Sequence, residues 1–233
     1  VRVKADALGL IAEDFLNDRV VEIDHIYNGF LEVYIQKEAL DQFYATGELT
    51  VSEIFNHPLY PNQFLIMKDA LGSKSSAVGM VDWEGKKVKK LVFDQERIWG
   101  IKARNVQQTM AIELLLREDI NLVTMIGKAG TGKTLLALAT ALMQTEDLGK
   151  YHKLLVARPI VPLGKDIGYL PGEKGEKLRP WMQPIYDNLE YLFNTKKPGE
   201  LDAILSGINS IEVEALTYIR GRSIPEQFMI IDE

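Results

Sequence analysis

Hydrophobic and polar positions change their period partway along the chain. In residues 5–17, Leu8, Ile11, Ala12, Phe15 and Leu16 recur at helical spacing. From residue 20 to about residue 93 the pattern shortens to brief β-like runs. Residues 20–26, 30–35, 63–67, 77–83 and 87–93 predict strands, and residues 37–45 predict a helix among them. Asn28-Gly29 and Glu84-Gly85 carry the chemistry of hairpin turns. Residues 20–94 therefore predict a small, mainly-β module such as an open barrel.

Near Asp94 the character changes again. Met110, Ile112, Leu114 and Leu115 line one face of a helix predicted over residues 106–117. An apolar strand at 122–126 runs into a glycine loop and then a helix over 133–144. Further strands are predicted at 154–157, 211–215 and 228–231, with a helix at 184–193. Strands alternating with helices imply an α/β domain over residues 95–233, its parallel sheet covered on both faces. No internal repeat or low-complexity tract interrupts this order.

Composition narrows the class. A chain of 233 residues, 46% of them hydrophobic and 26% charged, holds one large domain or two modest ones. A net charge of −6 excludes general polyanion binding, so nucleic acid would need a local basic track. The absence of cysteine excludes disulfides and thiolate metal sites, and fits a reducing cytoplasmic setting. No apolar run approaches the ~20 residues of a membrane helix. The chain opens on Val1 rather than Met and stops on the strand-like Met229-Ile230-Ile231-Asp232-Glu233. Both ends are expected to be cuts within a longer protein, leaving a sheet edge unpaired.

The glycine loop carries the sharpest chemistry. Gly127-Lys128-Ala129-Gly130-Thr131-Gly132-Lys133-Thr134 satisfies G-x-x-x-x-G-K-[ST] at every fixed position, between a predicted strand and a predicted helix. Glycines let the backbone wrap closely and turn its N–H groups inward as an anion nest at a helix N-terminus. Such a loop binds ATP: Lys133 reaches the β- and γ-phosphates, and the Thr134 hydroxyl coordinates Mg²⁺.

Phe228-Met229-Ile230-Ile231-Asp232-Glu233 has the form of a Walker B strand, whose carboxylates emerge at the ligand-binding end of a parallel sheet. Asp232 is the expected magnesium ligand, usually through water, and Glu233 the group that polarises an attacking water. A transferase acting on a small molecule needs no such base, so the Asp-Glu pair points towards hydrolysis. Upstream, Asn105-Val106-Gln107-Gln108-Thr109-Met110-Ala111 resembles the N-x-x-Q-x-x-A stretch of superfamily 1 helicases. There a glutamine amide reads adenine; Gln108 fits that spacing and Gln107 is its alternate. Two solvent-facing glutamines on an amphipathic helix are the plainer reading.

A long loop rich in glycine and proline spans residues 159–180, at the sheet edge where ligands bind. Its residues Arg158-Pro159-Ile160-Val161 and Gly168-Tyr169-Leu170-Pro171-Gly172 precede Glu176-Lys177-Leu178-Arg179-Pro180 and Pro184-Ile185-Tyr186-Asp187-Asn188-Leu189. Together with the phosphate loop and the terminal Ile230-Ile231-Asp232-Glu233, these segments resemble the PhoH-like ATPase family over about residues 97–233. The resemblance implies a P-loop NTPase sheet of RecA or superfamily 1 helicase type, here incomplete after the Walker B strand.

The first 19 residues resemble the tail of a PIN nuclease domain, as in two-part members of that family. Asp6, Glu13 and Asp14 are given no nuclease chemistry, being the solvated face of a helix. For such members the resemblance implies ATP hydrolysis coupled to remodelling or unwinding of single-stranded RNA, and homo-oligomeric rings of hexameric type. Arg158, Lys165, Lys177 and Arg179 are then candidate contacts to phosphates of RNA or of a neighbour's ATP, with Tyr169 and Trp181 as candidate stacking groups. Ordinary loop charges paired with nearby carboxylates, and aromatic loop anchors, are the alternatives. Two other functions stay open: a P-loop phosphotransferase, and an ATP-dependent assembly switch without motor activity.

Overall fold

The computed structural model describes residue 8 and residues 27–93, 97–160 and 174–233. The expected helix at 5–17, the strand at 20–26 and loop residues 161–173 lie outside this set, and with them Asp6, Glu13, Asp14, Lys165 and Tyr169. The chain divides into two compact units, Val1–Lys90 and Leu91–Glu233.

The first unit is built on five strands: β1 (Phe30–Ile35), β2 (Glu48–Thr50), β3 (Phe64–Asp69), β4 (Ser76–Val81) and β5 (Lys87–Lys90). Helix α1 (Lys37–Thr46) follows β1, and the single turn α2 (Val51–Ile54) follows β2. The sheet order is β1-β3-β4-β5-β2. β1 runs parallel to β3 and the other pairs are antiparallel. Asn28-Gly29 therefore leads into a parallel pair, with the Gly29 carbonyl accepting from Phe64 N. The expected partner arm at 20–26 lies outside the described residues. The Glu84-Gly85 turn does close a hairpin, Gly85 taking φ +70° between β4 and β5.

Leu40 and Phe43 of α1 enter a core shared with Leu65, Met67, Val81 and Val88. Gly79 makes that packing possible. A Cβ there would stand 2.5 Å from Val88 Cγ1 and 3.0 Å from the Phe43 ring.

The second unit contains α3 (Val106–Leu116), α4 (Lys133–Leu142), β6 (Lys153–Arg158), α5 (Lys174–Phe193), α6 (Glu200–Gly207), β7 (Ile211–Ala215) and β8 (Gln227–Ile231). Its three strands form an all-parallel sheet in the order β7-β6-β8. This is the expected α/β architecture, and β6 is apolar on both faces for that reason. Leu154 and Val156 pack with α4 and α5, while Leu155 and Ala157 face Leu216, Ile219 and Ile224. Helix α4 is buried almost all round, from Leu136 to Leu142, which explains why its sequence lacks a polar face.

Two expectations from the sequence need correction. Residues 122–126 form no ladder: Leu122 is 81% and Ile126 82% exposed. Val123 and Met125 are half-buried, but the segment pairs with neither outer edge of the β7-β6-β8 sheet. An apolar run suits a strand but becomes one only when its backbone pairs with a neighbour. The second correction concerns helix α5, which begins at Lys174 rather than near Pro184 and carries Pro180 and Pro184 inside it. An interior proline costs about 3 kcal/mol. Leu178, Met182, Ile185 and Leu189 offset this by burying one stripe of the helix in the core, each such burial being worth about 1.5–3 kcal/mol.

Candidate nucleotide-phosphate site

Residues 127–132 lead into the N-terminus of α4, exposed over 127–131 and half-buried over 132–135. Gly130 and Gly132 take φ of +76° and +88°, a region that β-carbons disfavour. Gly132 is the N-cap of α4, so the loop delivers free backbone N–H groups and the positive end of the helix to one concavity. The Thr131 hydroxyl donates to the Lys128 carbonyl at 2.9 Å and holds the turn closed. Lys133 folds back over the same concavity, its Nζ donating to the carbonyls of Gly127 at 2.8 Å and Lys128 at 3.1 Å. Ala129 is exposed at the loop tip.

Thr134 turns the other way. Its hydroxyl donates to Asp232 Oδ1 at 2.6 Å. Asp232 follows β8, and its backbone N–H donates to the Ala157 carbonyl at 2.9 Å, so the β6–β8 ladder fixes its position. Arg158, ending β6, brings its guanidinium to 3.5 Å from Asp232 Oδ2. Glu233 is exposed at the same end of β8. The Thr134 hydroxyl and the Asp232 carboxylate thus meet at one end of the sheet, with Arg158 beside them.

Gln108 comes to this site from α3. Asn105 caps that helix, accepting from Gln108 N at 2.9 Å. The Gln108 amide Nε2 donates to the Thr131 carbonyl at 3.1 Å, and its Oε1 accepts from Arg104 N at 2.7 Å. A Cβ at Gly132 would stand 3.4 Å from Gln108 Nε2, a distance the flexible amide accommodates, so it is the φ of +88° that calls for glycine. Gln107, the alternate, is exposed. The sequence located Gln108 but not its tie to the loop.

The donor set suits a hard divalent cation: a hydroxyl oxygen and a carboxylate, next to a nest for phosphate oxygens. Among the described residues no group of three or more His, Asp or Glu side chains gathers as a metal cage. A cation at Thr134 and Asp232 would therefore complete its shell with phosphate and water oxygens.

Elsewhere the candidates divide. Arg179 donates to Asp202 at 2.8 Å and lies 4.9 Å over the Tyr186 ring, so it is held within the unit rather than presented freely. The carboxylate that pairs with it comes from α6, not from the loop. Trp181 is half-buried. The side chain of Lys177 lies outside the described residues. The Arg158–Asp232 pair was missed from the sequence: both residues end apolar strands, but only the β6–β8 register places them side by side. Among the described residues no helix is long and apolar enough to cross a membrane.

A family model described as PhoH-like protein matches residues 100–233. Protein PhoH2 of Bacillus subtilis (strain 168) is 70% identical over 233 residues, 100% of this chain and 53% of that protein. Protein PhoH2 of Mycolicibacterium smegmatis is 38% identical over 234 residues, again 100% of this chain and 51% of that protein. A PhoH-like protein of Bacillus subtilis is 35% identical over 134 residues, 58% of this chain and 40% of that protein. The chain spans about half the length of the PhoH2 relatives it matches. With the P-loop fold, the loop geometry and the matched residues in agreement, the chain belongs to the PhoH-like family.

Proposed function

We propose that this chain binds ATP with Mg²⁺ at residues 127–134 and belongs to an ATPase that remodels or unwinds single-stranded RNA. The observation that carries the nucleotide reading is the 2.6 Å hydrogen bond from Thr134 to Asp232. It joins the phosphate loop to the end of β8, and it leaves lone pairs of the Thr134 oxygen available to a metal. Lys133 is the phosphate ligand, exchanging its two loop carbonyls for β- and γ-phosphate oxygens. Bound magnesium supplies charge neutralisation at those oxygens. Glu233 is the base that orients water, and Gln108 holds the loop and offers its remaining N–H and lone pair to adenine.

The RNA part rests on the family resemblance of residues 158–189 and on the PIN-like reading of residues 1–19. Within it, the protein acts in the cytoplasm as a homo-oligomeric ring of hexameric type, joined to a PIN domain. The test is steady-state ATP hydrolysis by the intact protein with and without single-stranded RNA. Stimulation that disappears in Lys133→Ala supports the coupled motor. Turnover indifferent to RNA favours an ATP-dependent assembly switch. Phosphate appearing on an acceptor instead of as free phosphate favours a phosphotransferase.

A further inference from the structure

We infer that Arg158 is a built-in competitor of the divalent cation for the negative charge of Asp232. The inference rests on the nucleotide reading above. Asp232 has two carboxylate oxygens with different neighbours. Oδ1 accepts the Thr134 hydroxyl at 2.6 Å, and Oδ2 faces the Arg158 guanidinium at 3.5 Å. The Thr134 bond is compatible with metal, because the hydroxyl gives its proton to Oδ1 and keeps its lone pairs. The Arg158 contact opposes it. The guanidinium 3.5 Å from Oδ2 offsets the negative charge that would draw a cation and its water shell to Asp232.

The pair is partly withdrawn from solvent, with side-chain exposures of 27% for Arg158 and 15% for Asp232, so screening does not cancel it. Both partners are fixed by the same ladder. Ala157 pairs with Ile231, and Asp232 N donates to the Ala157 carbonyl, which places Arg158 and Asp232 side by side at the strand ends. Lys133 repeats the arrangement on the phosphate side, where its ammonium rests on the Gly127 and Lys128 carbonyls. Each cation of the site thus has a ligand of its own within the chain. Loading with metal and nucleotide displaces Arg158 from Asp232, at the exact point where the chain enters Pro159 and Ile160. Metal affinity is set lower than the oxygen ligands alone would give, and it is coupled to the position of that guanidinium.

The test is equilibrium binding of a fluorescent, non-hydrolysable ATP analogue to the intact protein, across a Mg²⁺ series and in EDTA. In Arg158→Gln the Mg²⁺ midpoint is expected to fall about three- to tenfold, with affinity in EDTA unchanged within about twofold. Arg158→Lys, which keeps the charge, restores a midpoint close to that of the native protein. Arg158→Met supplies a second neutral side chain should the Gln variant not fold, with the same expectation. A midpoint that stays put or rises overturns the inference. So does a loss of affinity in EDTA, which would make the guanidinium a phosphate ligand. Native protein that binds no analogue at all overturns the nucleotide reading itself, an outcome visible before any variant is compared.

Discussion

The Thr134 hydroxyl and the Asp232 carboxylate stand 2.6 Å apart although 98 residues separate them in the chain. One begins the helix after the phosphate loop, and the other ends the strand that β6 holds in register. Because Thr134 has both a proton for Asp232 and lone pairs for a cation, its loss should separate metal binding from phosphate binding. Thr134→Ala is expected to bind the ATP analogue in EDTA as the native protein does, and to lose the strengthening that Mg²⁺ gives. Calorimetric titration with and without Mg²⁺ checks this. An undiminished Mg²⁺ effect would remove Thr134 from the metal site.

The phosphate loop was legible in the sequence because phosphate chemistry fixes both residue types and spacing between residues 127 and 134. Helix α5 was not, because Pro180 and Pro184 are strong local signals for a break. The buried stripe of Leu178, Met182, Ile185 and Leu189 overrides them, and that stripe has value only against the finished sheet. Residues 122–126 failed in the opposite direction: their apolar run reads as a strand, yet its backbone pairs with no strand of the β7-β6-β8 sheet. The Arg158–Asp232 pair needed strand register, which composition and periodicity do not supply.

Gln108 bridges Arg104 and Thr131 through its amide, so its first effect is on the loop. Gln108→Ala removes two hydrogen bonds, each worth about 0.5–1.5 kcal/mol. The expected result is weaker binding of every nucleoside triphosphate, with ATP and GTP falling together by about three- to thirtyfold. Competition titrations with both nucleotides measure it. A loss confined to ATP would show that the amide's main work is reading the base.

Glu113 is 1% exposed on α3, and its carboxylate accepts from Val92 N at 3.2 Å and Phe93 N at 2.7 Å. Arg117 lies 3.7 Å away as its counter-charge. Glu113→Ala strands two backbone donors, and the expected destabilisation is about 2–4 kcal/mol in urea unfolding. Glu113→Gln keeps one acceptor and should lose less. A change below about 0.5 kcal/mol in the alanine variant would mean that water replaces the carboxylate fully.

In the first unit, burial pushes the Asp82 carboxyl up. The amide hydrogens of Lys87, Lys86 and Gly85 and the charge of Lys89 outweigh it and leave the group below its ordinary value of 3.8. A carboxyl depressed on folding stabilises the folded form above the unfolded value, and that contribution drains away as pH falls through the folded one. The β4–β5 hairpin should therefore stay intact above the ordinary carboxylate range and loosen below it. Amide chemical shifts of Lys86 and Lys87, which donate to Asp82 Oδ1 at 2.9 and 3.1 Å, are expected to titrate with a midpoint under 3.8. A midpoint at or above that value would contradict the hydrogen-bond account, and Asp82→Asn should abolish the titration.

Glu233 adjoins Asp232 but is exposed, and this difference assigns separate roles to two neighbouring carboxylates. Asp232 is already committed to Thr134 and Arg158, so it is poorly placed to take a proton from water. Glu233 makes no hydrogen bond or ion pair among the described residues, so its carboxylate is open to a water. Replacing it by glutamine preserves size and hydrogen bonding but removes the charge that orients and polarises water. Glu233→Gln in the intact protein should bind ATP with near-native affinity while kcat falls by about 10²–10⁴. Single-turnover hydrolysis separates the chemical step from product release, and the loss must appear there. If the single-turnover rate is unchanged, another group positions the water, and Glu233 is then only a surface charge at the end of β8.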